Sequence, residues 1–154
     1  MPKRSAGLLL YRRADADFSV LLVHPGGPLW ANKDAGAWSI PKGEYAPGEE
    51  PLAAAQREFA EETGARPFGE FRPLGEVVQG GGKRVAAWAL EGEFDPATLV
   101  SNSFEMEWPP RSGRRVRFPE VDRAAWFVSA VARRKILAGQ RPLIERLAQL
   151  IAND

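Results

Sequence analysis

Hydrophobic positions fall in short runs at both ends of the chain, with one long helix-forming stretch between them. Gly7–Tyr11 and Phe18–Val23 are apolar runs separated by the polar link Arg12–Asp17, and they read as two strands. His24-Pro25-Gly26-Gly27-Pro28 breaks the second run, and the loop continues through Gly36. Trp38-Ser39-Ile40 reads as a short strand stopped by Pro41, and Pro47-Gly48 as a turn. Pro51 suits a first helical turn because its missing N–H has no partner there in any case; Leu52–Thr63 are good helix formers, and Gly64 stands where a left-handed cap is wanted. Phe71, Leu74–Val78 and Val85–Leu90 follow as strands, with Gly80–Gly82 as their turn, and Asp95–Ser103 as a loop. Phe104–Trp108 reads as a strand, Arg111–Arg117 as a basic loop or hairpin, and Ala124–Val128 as the last strand. Ser129 is positioned to cap a helix running to Leu137 and ended by Gly139, and Pro142–Ala152 is a closing amphipathic helix. Strands, one central helix, more strands and two closing helices predict an α+β fold.

At 154 residues with no repeats or linker, the chain is expected to form one domain, residues 1–154. The absence of cysteine removes disulfides, thiolate metal sites and cysteine nucleophiles, and the lone His24 removes a histidine-rich zinc site. Any metal chemistry must therefore use oxygen ligands. A hydrophobic share of 44% with 27% charged residues reads as a soluble globular chain. Arg12 and Arg13 cut off the first apolar run before it reaches signal-peptide length, and no run is long enough to span a bilayer, so a cytoplasmic protein without a membrane partner is expected. A net charge of +1 argues against a long nucleic-acid partner. That sum hides a division: Glu44–Glu76 holds eight acidic and three basic residues, Glu105–Arg141 four acidic and nine basic.

The acidic half contains the chemistry. Glu58, Glu61 and Glu62 stand at i, i+3 and i+4 and project from one helix face, beside an apolar arc of Leu52, Ala55 and Phe59. Like charges at this spacing repel, so the cluster reads either as a solvated acidic helix face or as a site for a positive object, for which hard Mg²⁺ or Mn²⁺ suits carboxylate oxygen. Gly43, then five residues, Glu49, then seven, then Arg57-Glu58-Phe59-Ala60-Glu61-Glu62-Thr63-Gly64-Ala65 reproduces all seven fixed positions of G-x5-E-x7-R-E-U-x-E-E-x-G-U, where U is a bulky apolar residue. Ala65 is a small occupant of the last U. This stretch resembles the Nudix box, and the flanking strand pattern extends the resemblance over most of the chain.

The resemblance implies a Nudix-type mixed β-sheet sandwiched between helices, with a loop–helix–loop at 43–65, and hydrolysis of a pyrophosphate bridge by water. It implies Glu61, Glu62 and the Gly43 carbonyl as metal ligands, Glu58 as ligand or general base, Arg57 as the residue holding Glu58, and Glu49 as a ligand or salt-bridge partner at the edge. The Pro41-Lys42-Gly43 entry is similar to that of enzymes cleaving diadenosine polyphosphates or diphosphoinositol phosphates, with Lys42 as a point charge on a polyphosphate or, alternatively, a solvated surface lysine. Arg111, Arg114, Arg115 and Arg117 are candidates for a phosphate-binding rim or a solubilising loop, with Lys33, Lys83 and Arg84 behind them; Trp30, in a Gly/Pro-rich loop, is the candidate for stacking on a base. Glu105 and Glu120 are downstream carboxylates that could contribute to the site, though solvent exposure is the first reading of each. The expected function is a magnesium-dependent pyrophosphohydrolase of a small nucleoside polyphosphate, foremost a dinucleoside polyphosphate. A house-cleaning triphosphatase for damaged nucleotides and a non-catalytic nucleotide sensor are the alternatives.

Overall fold

Each face of the central sheet is covered by helix, which explains why the first two strands read as unbroken apolar runs rather than alternating ones. The computed structural model describes residues 3–154. Strand β1 (Arg4–Ala14) turns into β2 (Asp17–Pro25); β3 (Lys42–Glu44) leads to α1 (Pro51–Thr63); β4 (Arg72–Val78) and β5 (Arg84–Glu91) form a hairpin. A second hairpin, β6 (Ser103–Glu107) and β7 (Arg115–Pro119), precedes β8 (Val121–Val128), α2 (Ser129–Lys135) and α3 (Arg141–Ala152). The main sheet runs β4-β5-β1-β2-β8, with β3 paired to β1, while β6 and β7 pair apart from it. Among the described strands only β1 and β5 pair in parallel, with Arg4 opposite Arg84 and Tyr11 opposite Glu91. The other edge of β1 is shared: β2 pairs along Tyr11–Ala14 and β3 along Ser5–Gly7.

Side chains alternate across β1, so Ala6, Leu8 and Leu10 face Ala54, Ala55 and Phe59 of α1, while Leu9 and Tyr11 face Ala132 of α2 and Leu143, Ile144 and Leu147 of α3. The predicted α+β sandwich is thereby observed. Helix α1 has Pro51 in its first turn, and Gly64 at φ 83° donates its N–H to Ala60 O.

Four local expectations are corrected. Trp38–Ile40 is not a strand: its pairing is limited to single bridges from Ser39 to Val23 and from Trp38 to Ile136, and the strand that pairs with β1 begins after Pro41. Ser129 does not cap α2, because its hydroxyl donates to Asp17 Oδ1 at 2.7 Å, tying the helix start to β2. Helix α2 stops at Lys135, before Gly139, since Trp38 N–H donates to Lys135 O and Leu137 N–H to Trp38 O, drawing the chain out along residue 38. The Asp95–Ser103 loop contains a 3₁₀ turn, Pro96–Thr98, capped by Asp95.

Candidate functional site

β3 feeds directly into the loop before α1, and this brings Gly43 against the helix face that carries Glu58. A Cβ on residue 43 would fall 2.0 Å from Glu58 Cδ, so only glycine lets the buried carboxylate lie on this backbone. Arg57 gathers the remaining carboxylates. Its Nε and Nη2 donate to the two oxygens of Glu49 at 2.9 and 3.1 Å, a bidentate fork. Its Nη1 donates to Glu58 Oε1 at 2.8 Å and to Glu61 Oε2 at 3.2 Å. Glu49 is accordingly held below the usual carboxylate range by Arg57, and the Arg57 guanidinium is raised, first by Glu49. Glu62 points the other way and accepts the Lys42 backbone N–H at 3.2 Å.

These contacts leave a strained set of charges. Burial pushes the Glu58 carboxyl up, against the pull of Arg57, and the neighbouring Glu61 and Glu120 add to the rise. Burial likewise pushes Glu62 up to about 8, with Glu120 and Glu58 contributing. Glu120 is raised by burial and by Glu61. Among the described residues, no three carboxylate or imidazole groups already converge as a metal cage; Arg57 stands between Glu58 and Glu61. The donor set is nonetheless all hard oxygen, its carboxylates destabilise one another, and the Gly43 cradle exposes backbone beside them. Such a set fits a hard divalent cation.

Beside the helix lies a cleft of about 280 Å³ whose lining includes Trp30, Lys42, Glu62, Gln79, Lys83 and Glu120. The Lys42 ammonium is lowered, chiefly by burial and further by Lys83, against the attraction of Glu62. Gln79 is fixed from behind by the fully buried Gln140, which donates to Gln79 Oε1 at 2.7 Å and to Ser39 Oγ at 2.9 Å. Trp30 has the Lys33 ammonium 5.1 Å from its ring. The far end of its loop is pinned where His24 Nε2 donates to Lys33 O at 2.6 Å, while His24 Nδ1 faces Asp122.

The structure brings Gly43, Glu49, Arg57, Glu58 and Glu61 together around α1, and places Lys42, Glu62 and Trp30 in the lining of the cleft. Arg114 and Arg115 do not line it; they are exposed at the tip of the β6–β7 hairpin, where Arg115 lies opposite Glu107. The cation that stands with Lys42 is Lys83, a minor candidate in the sequence. Glu120, expected in solvent, is half-buried beside Glu62. No local pattern marked either. Lys83 is placed by the β4–β5 hairpin, where Gln79 N–H donates to Lys83 O at 2.7 Å, and Glu120 by the turn from β7 into β8.

The chain matches the NUDIX domain family model over residues 1–147. It belongs to the NUDIX family. As a Nudix hydrolase it acts on phosphorus-containing anhydrides. Solved NUDIX structures share the fold at low identity. A C. elegans Ap4A hydrolase in a binary complex superposes with TM-score 0.66 at 21% identity, covering 99% of each chain. The NUDIX domain of Shewanella oneidensis NrtR complexed with ADP ribose gives TM-score 0.66 at 17% identity, covering 98% of this chain and 89% of that one. The Nudix hydrolase RenU from M. smegmatis gives 0.58 at 23%, covering 98% and 86%.

Proposed function

We propose that this NUDIX protein is a magnesium-dependent pyrophosphohydrolase whose substrate is a dinucleoside polyphosphate or a similarly polyphosphorylated nucleotide. One observation carries the reading: Lys42 and Lys83 line the same cleft as Glu62 and Glu120, beside the helix of clustered carboxylates. Carboxylates hold cations and lysines attract phosphate, so a polyphosphate chain fits between the two sets. The Ap4A hydrolase among the structural neighbours and the Pro41-Lys42-Gly43 entry are consistent with it.

Glu58, Glu61, Glu62 and the Gly43 carbonyl would hold Mg²⁺, with Mn²⁺ as the nearest substitute, and Glu120 would complete the set. The bound ion supplies positive charge to non-bridging phosphate oxygens and acidifies water. Glu58, with one oxygen fixed by Arg57, accepts the proton of the attacking water. The water oxygen bonds to phosphorus as the bridging P–O bond breaks and its electrons leave with the departing phosphate. Glu49 holds Arg57 in place, and Lys42 and Lys83 neutralise the phosphate chain. Trp30 packs against the nucleoside.

The test is hydrolysis of a nucleotide panel in ¹⁸O-water with Mg²⁺. Tetraphosphate-linked dinucleosides should turn over faster than any nucleoside triphosphate, with ¹⁸O in one phosphate-bearing product. Faster cleavage of oxidised triphosphates would make this a clean-up enzyme, and tight binding without cleavage of any anhydride would make it a sensor.

A further inference from the structure

A second, more apolar slot adjoins the cleft. It has a volume of about 280 Å³ and lies between the Pro25–Trp30 loop and the face of β6 that carries Phe104 and Met106. Pro25, Trp30 and Glu120 line both spaces, so the slot and the cleft share a wall.

Close backbone approach builds this slot. A Cβ on Gly26 would fall 2.0 Å from Pro119 O at the end of β7, and one on Gly27 would meet the Phe104 ring at 3.0 Å, at a φ of +93° that side chains rarely adopt. Gly26 N–H also donates to Glu120 O at 2.9 Å. Phe104 is backed by Phe118 across the hairpin, ring centroids 6.1 Å apart. The detached two-stranded hairpin is thus pressed onto the loop that carries Trp30.

The lining decides what fits. At just under the roughly 300 Å³ where ligand sites begin, the slot has room for one ring system rather than a whole nucleotide. Its lining holds no cation for a phosphate, whereas Lys42 and Lys83 line the neighbouring cleft. Trp30, Phe104, Met106 and the two prolines present flat or polarizable apolar surface instead. We propose that this slot receives the nucleobase of the substrate by stacking, while the phosphates occupy the Lys42–Lys83 cleft. The placement of the phosphates rests on the proposed hydrolase function. Stacking tolerates any base because every base has a π-face, so this protein discriminates poorly among bases.

Calorimetric binding separates the two readings. The ligands are methylene-bridged, non-hydrolysable nucleoside triphosphates and inorganic tripolyphosphate, each with Mg²⁺. Wild-type protein should bind the nucleoside ligands at least about tenfold more tightly than tripolyphosphate, with purine and pyrimidine forms within a few-fold of each other. Phe104→Ala and Met106→Ala should each shrink that preference several-fold, with thermal midpoints confirming that both variants fold. Equal wild-type affinity for nucleotide and tripolyphosphate overturns the proposal, as does equal weakening of both ligands in the variants. If Phe104→Ala does not fold, the wild-type comparison and Met106→Ala decide. Absence of turnover on the nucleotide panel counts against the hydrolase function alone, because the slot is read by binding; normal turnover with no preference for nucleoside ligands over tripolyphosphate counts against the slot alone.

Discussion

Glu58 is buried against the one residue that leaves room for it and is held by Arg57, and two substitutions separate these supports. Glu58→Gln keeps the shape and removes the proton acceptor, and kcat should fall by at least about 10²-fold, the lower end for an acid–base group. Near-normal turnover of that variant under saturating substrate would move the base to another carboxylate, with Glu120 next in line. Gly43→Ala acts on the same group from the other side. The new Cβ would overlap the Glu58 carboxyl, 2.0 Å from its Cδ, so either the side chain or the strand must move. Activity should drop at least tenfold, with a higher Mg²⁺ concentration needed for half-maximal rate; an unchanged Mg²⁺ dependence would show that Glu58 and the Gly43 carbonyl do not act on the same ion.

Helix α1 carries three of the carboxylates, and Gly64 ends it. At φ 83° its N–H caps Ala60 O, and a Cβ there would also meet Val100 at 2.9 Å. Gly64→Ala should therefore destabilise the fold by more than about 1 kcal/mol in urea unfolding, while kcat at low temperature stays within a few-fold of wild type; a variant as stable as wild type would show that the cap is dispensable. This element was legible in the sequence because its signals are local: Pro51 at one end, Gly64 at the other, and box spacing between. The same holds for β1 and β2, whose apolar runs have few alternatives. The Trp38–Ile40 segment was misread because a β-branched, aromatic run looks like a strand whether or not a neighbour pairs with it. Lys83 and Glu120 were underrated for a related reason. Their positions depend on which strands lie side by side, and neighbours as far apart in sequence as Lys42 and Lys83 or Glu62 and Glu120 carry no local mark of that.

Across the molecule, two sets of carboxylates pull stability in opposite directions with pH. Asp17 is held low by Ser129, Asp34 by Lys135, and Glu49 by Arg57. Their contribution is present above their ordinary values and is lost as acid protonates them. Glu62 is raised from 4.5 to about 8, and Glu58 and Glu120 are raised too. Between pH 4.5 and about 8 the folded protein keeps a proton on Glu62 that the unfolded chain has released, so stability falls as pH rises through that window. Lys42, lowered by burial, works the other way at higher pH. In EDTA the thermal midpoint should therefore peak in mildly acidic buffer, near about pH 5, and decline towards pH 8. A divalent cation binds the ionised carboxylates and not the protonated ones, so Mg²⁺ should raise the midpoint more at pH 8 than at pH 5. Glu62→Gln removes the titrating group, and in EDTA its midpoint should be flatter over this range and higher than wild type at pH 8. A midpoint that climbs steadily from pH 5 to 8 without metal, or an Mg²⁺ effect equal at both ends, would mean that the carboxylate cluster is not what a cation neutralises.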